Sequence, residues 1–142
     1  MNKSPDVGQL VTAHVRLELG EPEGEPSAMD SDLTYDPADP YALTMIFKTG
    51  TVPVRWTFGR DLLLNGIYEP TGEGDVHVWP CLGSDGSAVV IFELNSPDGD
   101  VFVQASSRDV SQFVNAMLVS VPEGTEGNHV DLDAELSGFF SA

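Results

Sequence analysis

Basic residues are scarce in this sequence. Six lysines and arginines stand against 23 aspartates and glutamates, which gives a formal net charge of −17. A surface this acidic repels phosphate backbones, and proteins that bind nucleic acids need a basic footprint. The same charge disfavours contact with anionic membranes. The composition therefore predicts a solvated acidic surface and argues against both nucleic acid and membrane as direct partners.

Cysteine and long apolar runs are also scarce. The single cysteine, Cys81, cannot form an internal disulfide, and the longest apolar runs, such as Val89–Phe92, are far too short to span a bilayer. The N-terminal residues MNKSPDVGQ lack the apolar segment of a signal peptide. We therefore expect a cytoplasmic protein.

Motifs for catalysis and metal binding are missing as well. Thr71–Asp75 (TGEGD) contains Gly-x-Gly, but no helix and no Lys-Ser/Thr pair follow it, and its carboxylates would repel a phosphate. His77 and Cys81 share one face of a predicted strand, but a structural zinc site needs four ligands at characteristic spacing. No Gly-x-Ser-x-Gly elbow marks a nucleophile. We predict no catalytic, cofactor-binding or metal site, and hence no enzyme.

Alternating hydrophobicity is what the sequence does contain. In residues 9–19, apolar and polar residues alternate, which predicts a strand with one solvent-exposed face. The helical spacing of apolar residues predicts helices further along the chain. The six predicted strands cover residues 9–19, 41–48, 52–58, 75–82, 87–95 and 101–105, and the predicted helices cover residues 60–66, 108–121 and 132–140.

This order of elements predicts a single α+β domain over residues 1–142, in which helices pack on a mainly antiparallel sheet of about six strands. We expect residues 1–8 to form a disordered tail. Residues 21–32 (EPEGEPSAMDSD) are acidic and broken by proline and glycine, which predicts a loop. No internal repeat is visible in the sequence.

Three consecutive leucines, Leu62, Leu63 and Leu64, lie in the predicted helix 60–66. At about 100° per residue they span roughly 200° of the helix surface, and a short helix on one sheet buries a narrower arc. We therefore predict that Leu63 or Leu64 contacts a partner or a second subunit. The alternative is that the outward leucine is covered by residues 21–32 or by another part of the same chain.

Aromatic residues on the predicted strands allow two interpretations. Tyr41, Phe47, Trp56 and Trp79 could form a platform on which nucleic-acid bases stack. Stacking without nearby cations makes a poor nucleic-acid site, so core or subunit contacts are favoured.

Five segments together resemble the SsgA-like proteins, which are sporulation and cell-division regulators of actinomycetes. The resemblance extends from about Val11 to Phe140 and is strongest to the SsgB type. The sequence departs from the family pattern at Gly59, where the pattern has alanine. The five segments are LTYDPADPYALTMIFKTG (33–50), VRWTFGRDLL (54–63), PTGEGDVHVWP (70–80), NSPDGDV (95–101) and VPEGTEGNHVDLDAEL (121–136).

The resemblance implies a non-enzymatic adaptor whose fold is similar to the Whirly-type nucleic-acid-binding fold. It implies binding to the tubulin-like division protein FtsZ at sporulation septa, to SsgA-like paralogues, and to further copies of the chain, with a trimer favoured. It also implies a cytoplasmic location at the division septum, with any membrane association indirect through division proteins. The alternative is a single-stranded nucleic-acid-binding module that uses the sheet of the Whirly-like fold, which the acidic charge disfavours.

The contact with FtsZ is expected to be mainly apolar. FtsZ proteins are acidic as a class, so the long-range interaction with this acidic chain is repulsive, and attraction must come from buried apolar area. The predicted partner or subunit contacts are Leu63, Leu64, Tyr68, Trp79, Phe139 and Phe140.

Overall fold

The structure, a computed structural model, describes residues 7–20, 27–48 and 50–129. Its regular elements are eight strands, two α-helices and one short 3-10 helix at Glu126–His129. The elements are β1 (Val11–Leu19), β2 (Ser27–Tyr35), β3 (Ala42–Phe47), β4 (Val54–Gly59), α1 (Arg60–Gly66), β5 (Thr71–Glu73), β6 (Val76–Leu82), β7 (Ala88–Ser96), β8 (Gly99–Ser106) and α2 (Ser107–Ser120).

All eight strands belong to one sheet with the order β4-β3-β2-β1-β8-β7-β6-β5. Every neighbouring pair is antiparallel. Each half of the sheet is a four-stranded meander that ends in one helix, so the chain repeats a β-β-β-β-α unit. The two halves are joined where Leu17–Leu19 of β1 pairs with Val103–Ala105 of β8.

The sheet curls around one core that both halves share. Phe58 of β4 and Phe92 of β7 lie with their ring centroids 6.4 Å apart. In a flat sheet these two strands would be separated by five strand spacings, or about 24 Å. The close approach of the rings therefore requires strong curvature, and α1 and α2 cover the inner face that the curvature creates.

The predicted α+β fold is confirmed, but the sheet has eight strands instead of about six. The predicted acidic loop at residues 21–32 is wrong from Ser27 onward, because Ser27–Tyr35 forms β2 and pairs with β1 over nine residue pairs. The aspartates of β2 face solvent, and the inward Ser31 hydroxyl donates to Val15 O at 2.7 Å. Because the polar Ser31 interrupts the apolar core face of β2, the alternation of this strand is weak until β1 is placed beside it.

The ends of the chain also differ from the sequence prediction. The predicted disordered tail at residues 1–8 extends too far, because the Gly8 N–H donates to Ser120 O at 2.7 Å. The Ser120 hydroxyl in turn donates to Gln9 O at 2.5 Å, so this segment is bonded to the end of α2. Residues 1–6 and the predicted helix at 132–140 lie outside the described residues.

Two glycines at the ends of α1 give a matched test of its packing. A Cβ on Gly66 would lie 2.5 Å from Val78 Cγ1 and 3.2 Å from Val78 O, whereas a Cβ on Gly59 would have Tyr41 O as its nearest contact at 3.9 Å. We expect Gly66→Ala to lower the free energy of unfolding by about 1–3 kcal/mol, because α1 must move away from β6. Gly59→Ala should change it by less than about 1 kcal/mol, because the lower entropy of the unfolded chain is opposed by the poorer N-cap preference of alanine.

Urea unfolding of both variants checks this prediction. Gly59 has a φ of −63°, which alanine adopts without strain, and it lies at the N-cap of α1 with open space around an added Cβ. Equal losses of stability in the two variants would contradict the close contact between α1 and β6.

Candidate protein-docking site

Helix α1 contacts both halves of the sheet, through β3 and β4 on one side and β5 and β6 on the other. The buried part of the α1 surface therefore spans a wider arc than it would if the helix packed on a single sheet face. Leu62 is buried, and Leu63 has no exposed surface at all (0%). The sequence predicts Leu63 or Leu64 as the contact, and because the shared core already covers Leu63, Leu64 remains the candidate. Leu64 is half-buried and keeps part of its side chain at the surface.

Leu64 forms part of an open groove between α1 and α2, with a volume of about 430 Å³. The α2 wall uses positions spaced i, i+3, i+4 and i+7, which lie on one face of a helix. Four of the lining residues are aliphatic, four are polar or charged, and one is an aromatic tyrosine, so the groove has a mixed lining. The lining residues are Leu64, Asn65, Ile67, Tyr68, Ser111, Val114, Asn115, Leu118 and Glu123.

The rim of this groove carries one exposed aromatic ring and one negative charge. Tyr68 is 80% exposed. Its backbone N–H donates to Asn65 O at 3.0 Å, which fixes its position just after α1. Glu123 is exposed and forms no ion pair within the described part of the chain. None of the described lining residues is lysine or arginine, so Glu123 sets the charge of the groove.

A buried cation holds the two helices in this arrangement. Arg60, the first residue of α1, is 1% exposed. Its Nη1 donates to the Tyr35 hydroxyl at 3.2 Å and to Val121 O at 2.8 Å, and its Nη2 donates to Glu126 Oε1 at 2.5 Å. Since Val121 directly follows α2, Arg60 connects the start of α1 to the end of α2. This connection also positions Glu123 at the rim.

The partners of Arg60 are themselves fixed. The Tyr35 hydroxyl donates to Pro40 O at 2.8 Å, and burial raises the pKa of Tyr35, so the hydroxyl stays protonated. Hydrogen bonds from its own backbone N–H and from Arg60 lower the pKa of Glu126, which keeps this carboxylate charged. The Gly124 N–H donates to its second oxygen at 3.0 Å. The chain after α2 is therefore anchored through both carboxylate oxygens.

Trp79 lies on a different surface from Leu64 and Tyr68. Val78 faces α1, and because successive residues of a strand point to opposite faces, Trp79 faces outward from β6. Its ring packs edge-on against Phe102 of β8, with centroids 6.3 Å apart. Phe102 is 42% exposed, so the pair forms a partly open aromatic patch.

The predicted contact residues therefore fall on two separate surfaces, the groove and this aromatic patch. The predicted contacts Phe139 and Phe140 lie outside the described residues. Sequence reasoning missed the α2 wall of the groove, because Val114 and Leu118 fit the apolar stripe that packs on the core. The side of that stripe with the half-buried Ser111 and the exposed Asn115 is recognised as a groove wall only when α1 is placed beside it.

The outer face of the first half-sheet is polar and carries carboxylates. Lys48 Nζ lies 3.0 Å from Asp32 Oδ2, and His14 Nδ1 lies 3.1 Å from Asp32 Oδ1. Although partial burial opposes it, hydrogen bonds from His14 and Lys48 lower the pKa of Asp32, so this carboxylate stays charged. Lys48 is thus paired with a carboxylate, and this face does not supply the basic footprint that a nucleic-acid backbone requires.

Within residues 7–20, 27–48 and 50–129, no group of three or more His, Cys, Asp and Glu side chains is arranged to hold a metal ion. No helix in them is long and apolar enough to cross a membrane.

These features define an α+β domain built from one curled antiparallel sheet with an open groove between its two helices. The model of the family described as Streptomyces sporulation and cell division protein, SsgA, matches residues 29–126, and the chain belongs to this family. The predicted family resemblance is confirmed.

Curated relatives support the same assignment. The sporulation-specific cell division protein SsgB of Streptomyces coelicolor is 44% identical over 125 residues, which cover 87% of this chain and 89% of that protein. SsgB of Frankia casuarinae is 41% identical over 128 residues, covering 89% of each. The names of these relatives support a role for this chain in sporulation-specific cell division.

Solved structures share the fold. One solved structure comes from work on mutations in SsgB that correlate to longitudinal cell division during sporulation of Streptomyces coelicolor. It superposes with a TM-score of 0.80 at 38% identity and covers 85% of this chain and 95% of that one. The crystal structure of an SsgA-like sporulation-specific cell division protein from Thermobifida fusca has a TM-score of 0.83 at 36% identity, covering 98% of this chain and 99% of that one.

Proposed function

We propose that this chain is a non-enzymatic adaptor that helps to position FtsZ at sporulation septa, and that it binds FtsZ through the groove between α1 and α2. The observation that supports this most is the side chain of Tyr68, which is 80% exposed in an otherwise acidic domain and lies beside the aliphatic side chains of the groove. An exposed aromatic ring next to aliphatic side chains is typical of the centre of a protein–protein interface.

A second surface leaves room for other contacts at the same time. The aromatic patch of Trp79 and Phe102 is on the outer sheet face, whereas the groove is on the helix side. We assign the patch to contacts with further copies of the chain, as a trimer, or with SsgA-like paralogues. An adaptor that assembles through one surface can then present the other to FtsZ.

The proposal includes no cofactor, metal or nucleic-acid partner. It places the protein in the cytoplasm at the division septum, with the membrane reached only through other division proteins. The sequence alternative, a single-stranded nucleic-acid-binding module, receives no support from the sheet face described above, where Asp32 pairs with Lys48. Tight binding of single strands in a gel-shift experiment at low salt would favour that alternative.

Two tyrosines provide a matched test of the FtsZ contact. Tyr68 lines the groove, whereas Tyr41, which is 57% exposed, precedes β3 and does not line it. We expect Tyr68→Ala to weaken binding of purified FtsZ from the same organism at least about fivefold, since interface aromatic residues carry a large share of binding energy. Tyr41→Ala should change the dissociation constant by less than about twofold.

Salt dependence distinguishes an apolar contact from a charged one. The affinity for FtsZ should stay flat or rise as salt increases toward about 0.3 M, because screening weakens repulsion between two acidic proteins. A steady fall in affinity with salt would contradict the apolar contact. Failure of the parent protein to bind FtsZ at any salt concentration would contradict the proposed function itself.

A further inference from the structure

We infer that the groove between α1 and α2 is built to receive an amphipathic helix of the partner, and that this helix carries a lysine or arginine that pairs with Glu123. The inference rests on the proposed function only in taking the groove as a protein-docking site. It goes further by naming the conformation and the charge of the segment that docks.

The walls of the groove favour a helix over an extended strand. Docking of a strand needs a free sheet edge whose backbone N–H and C=O groups can form a ladder with it. Here one wall is the end of α1 with the turn that follows it, and the other wall is α2, so the groove does not lie along a sheet edge. The groove therefore presents side chains and no free backbone ladder, as in the known mode in which an amphipathic helix places its apolar face in a groove.

The spacing of the wall residues fits this mode. On α2, Ser111, Val114, Asn115 and Leu118 follow i, i+3, i+4 and i+7, which gives a ridge about 10 Å long at 1.5 Å per residue. A partner helix of two to three turns covers that length. Its apolar side chains at the same spacing would contact the aliphatic lining residues of the groove. Its polar edges would contact the neutral side chains of Ser111 and Asn115.

The charge of the groove selects the partner's charge. Among the described residues, Glu123 is the one charged side chain that lines the groove, and it is exposed and has no ion-pair partner there. Arg60 bonds to Val121 O and to Glu126, on either side of Glu123 in the sequence. Because Arg60 is buried and already paired with Glu126, it does not neutralise Glu123. A lysine or arginine one turn beyond the apolar stripe of the docking helix would therefore be attracted, and a glutamate there would be repelled.

Designed peptides test the inference without FtsZ. We would titrate the full ¹⁵N-labelled chain with a 15-residue helical peptide that carries leucines at i, i+3, i+4 and i+7 and one lysine a turn away. Two matched peptides replace that lysine by glutamate or place a proline in the centre. The lysine peptide should shift the resonances of Leu64, Tyr68 and Leu118, and it should bind about threefold to tenfold more tightly than the glutamate peptide at low salt. The proline peptide should not bind.

Charge reversal on the protein provides the second arm. Glu123→Lys should reverse the preference, so that the glutamate peptide binds more tightly than the lysine peptide. The matched control is Glu69→Lys, because Glu69 is exposed next to Tyr68 but does not line the groove; this variant should keep the parent's preference.

The inference and the proposed function can fail separately. Equal binding of the three peptides, or shifts confined to Trp79 and Phe102, would overturn the inference even if FtsZ binds the parent. Peptide binding with the expected preferences, together with no binding of FtsZ, would support the inference and overturn the proposed function.

Discussion

Arg60→Met is expected to lower the free energy of unfolding by about 3–5 kcal/mol, because it removes one partner from a buried ion pair. The side chain of Arg60 is 1% exposed and that of Glu126 is 13% exposed. Without the guanidinium, Val121 O and the Glu126 carboxylate lose a charged donor in a place that water barely reaches. Methionine keeps the unbranched shape, so the loss reports the charge and hydrogen bonds more than the volume.

The matched control is Arg55→Met in β4. Arg55 is exposed, and its replacement should change the free energy of unfolding by less than about 0.5 kcal/mol. Urea unfolding at neutral pH measures both variants. A loss below about 1 kcal/mol for Arg60→Met would contradict the view that Arg60 connects the two helices.

The effect of Arg60→Met should also depend on pH. A carboxyl whose pKa is lowered in the folded state stabilises the fold above its ordinary pKa, and this contribution is lost as pH falls through the lowered value. The pKa of Glu126 lies below its ordinary value of 4.5, with Arg60 as one cause. The stability difference between parent and Arg60→Met should therefore be constant near neutral pH and shrink as pH falls below about 4.5.

Leu63→Ala is expected to lower the free energy of unfolding by about 3–5 kcal/mol, the range found when a fully buried leucine is truncated. Its neighbour Leu64 is half-buried, and Leu64→Ala should cost only about 1 kcal/mol of stability. The effects of the two substitutions on FtsZ binding should be in the reverse order. Folded Leu63→Ala should bind FtsZ like the parent, whereas Leu64→Ala should bind several-fold more weakly.

Chemical unfolding and FtsZ titration of the two variants, each under conditions where it is folded, check this reversal. Weak binding by Leu63→Ala together with parent-like binding by Leu64→Ala would mean that α1 presents another face to the partner. In that case the groove would not be the docking site.

Much of the fold follows from local patterns in the sequence. Helix α1 begins at Arg60 and ends at Gly66, as its apolar run and the Asn65-Gly66 stop predict. The strand β2 was missed because its solvent face carries aspartates and its core face includes Ser31, whose hydroxyl is satisfied only by Val15 of the neighbouring strand. A strand that depends on a cross-strand bond cannot be identified from its own residues.

The repeated β-β-β-β-α unit is present in reduced form among the predicted elements, as three strands and a helix in each half. The prediction lacks one strand of each half, β2 in the first and the three-residue β5 in the second. The joining of the two halves through β1 and β8 is non-local. The curl of the sheet is likewise non-local, since it brings Phe58 onto Phe92 from distant strands. That curl is why α1 meets both half-sheets and why Leu63 is covered.

The candidate site could be predicted in part. The arc that three consecutive leucines span on a short helix points to Leu64, and Tyr68 is one of the predicted apolar contacts; both line the groove. The opposite wall depends on how α2 lies beside α1, which Arg60 fixes through Val121 O. Glu123 could not be distinguished by composition, because it is one of 23 acidic residues. Only its position at the rim of the groove, beside aliphatic side chains, identifies it as a candidate partner contact.

A site-specific photo-crosslink to FtsZ tests the proposed docking site most directly. We would place p-benzoylphenylalanine at position 68, at the rim of the groove, and in a matched protein at position 41, outside it. We expect a crosslinked product from position 68 and little product from position 41. The captured FtsZ segment should map to an amphipathic helix that carries a lysine or arginine. Efficient crosslinking from position 41 with none from position 68 would contradict the proposed docking site.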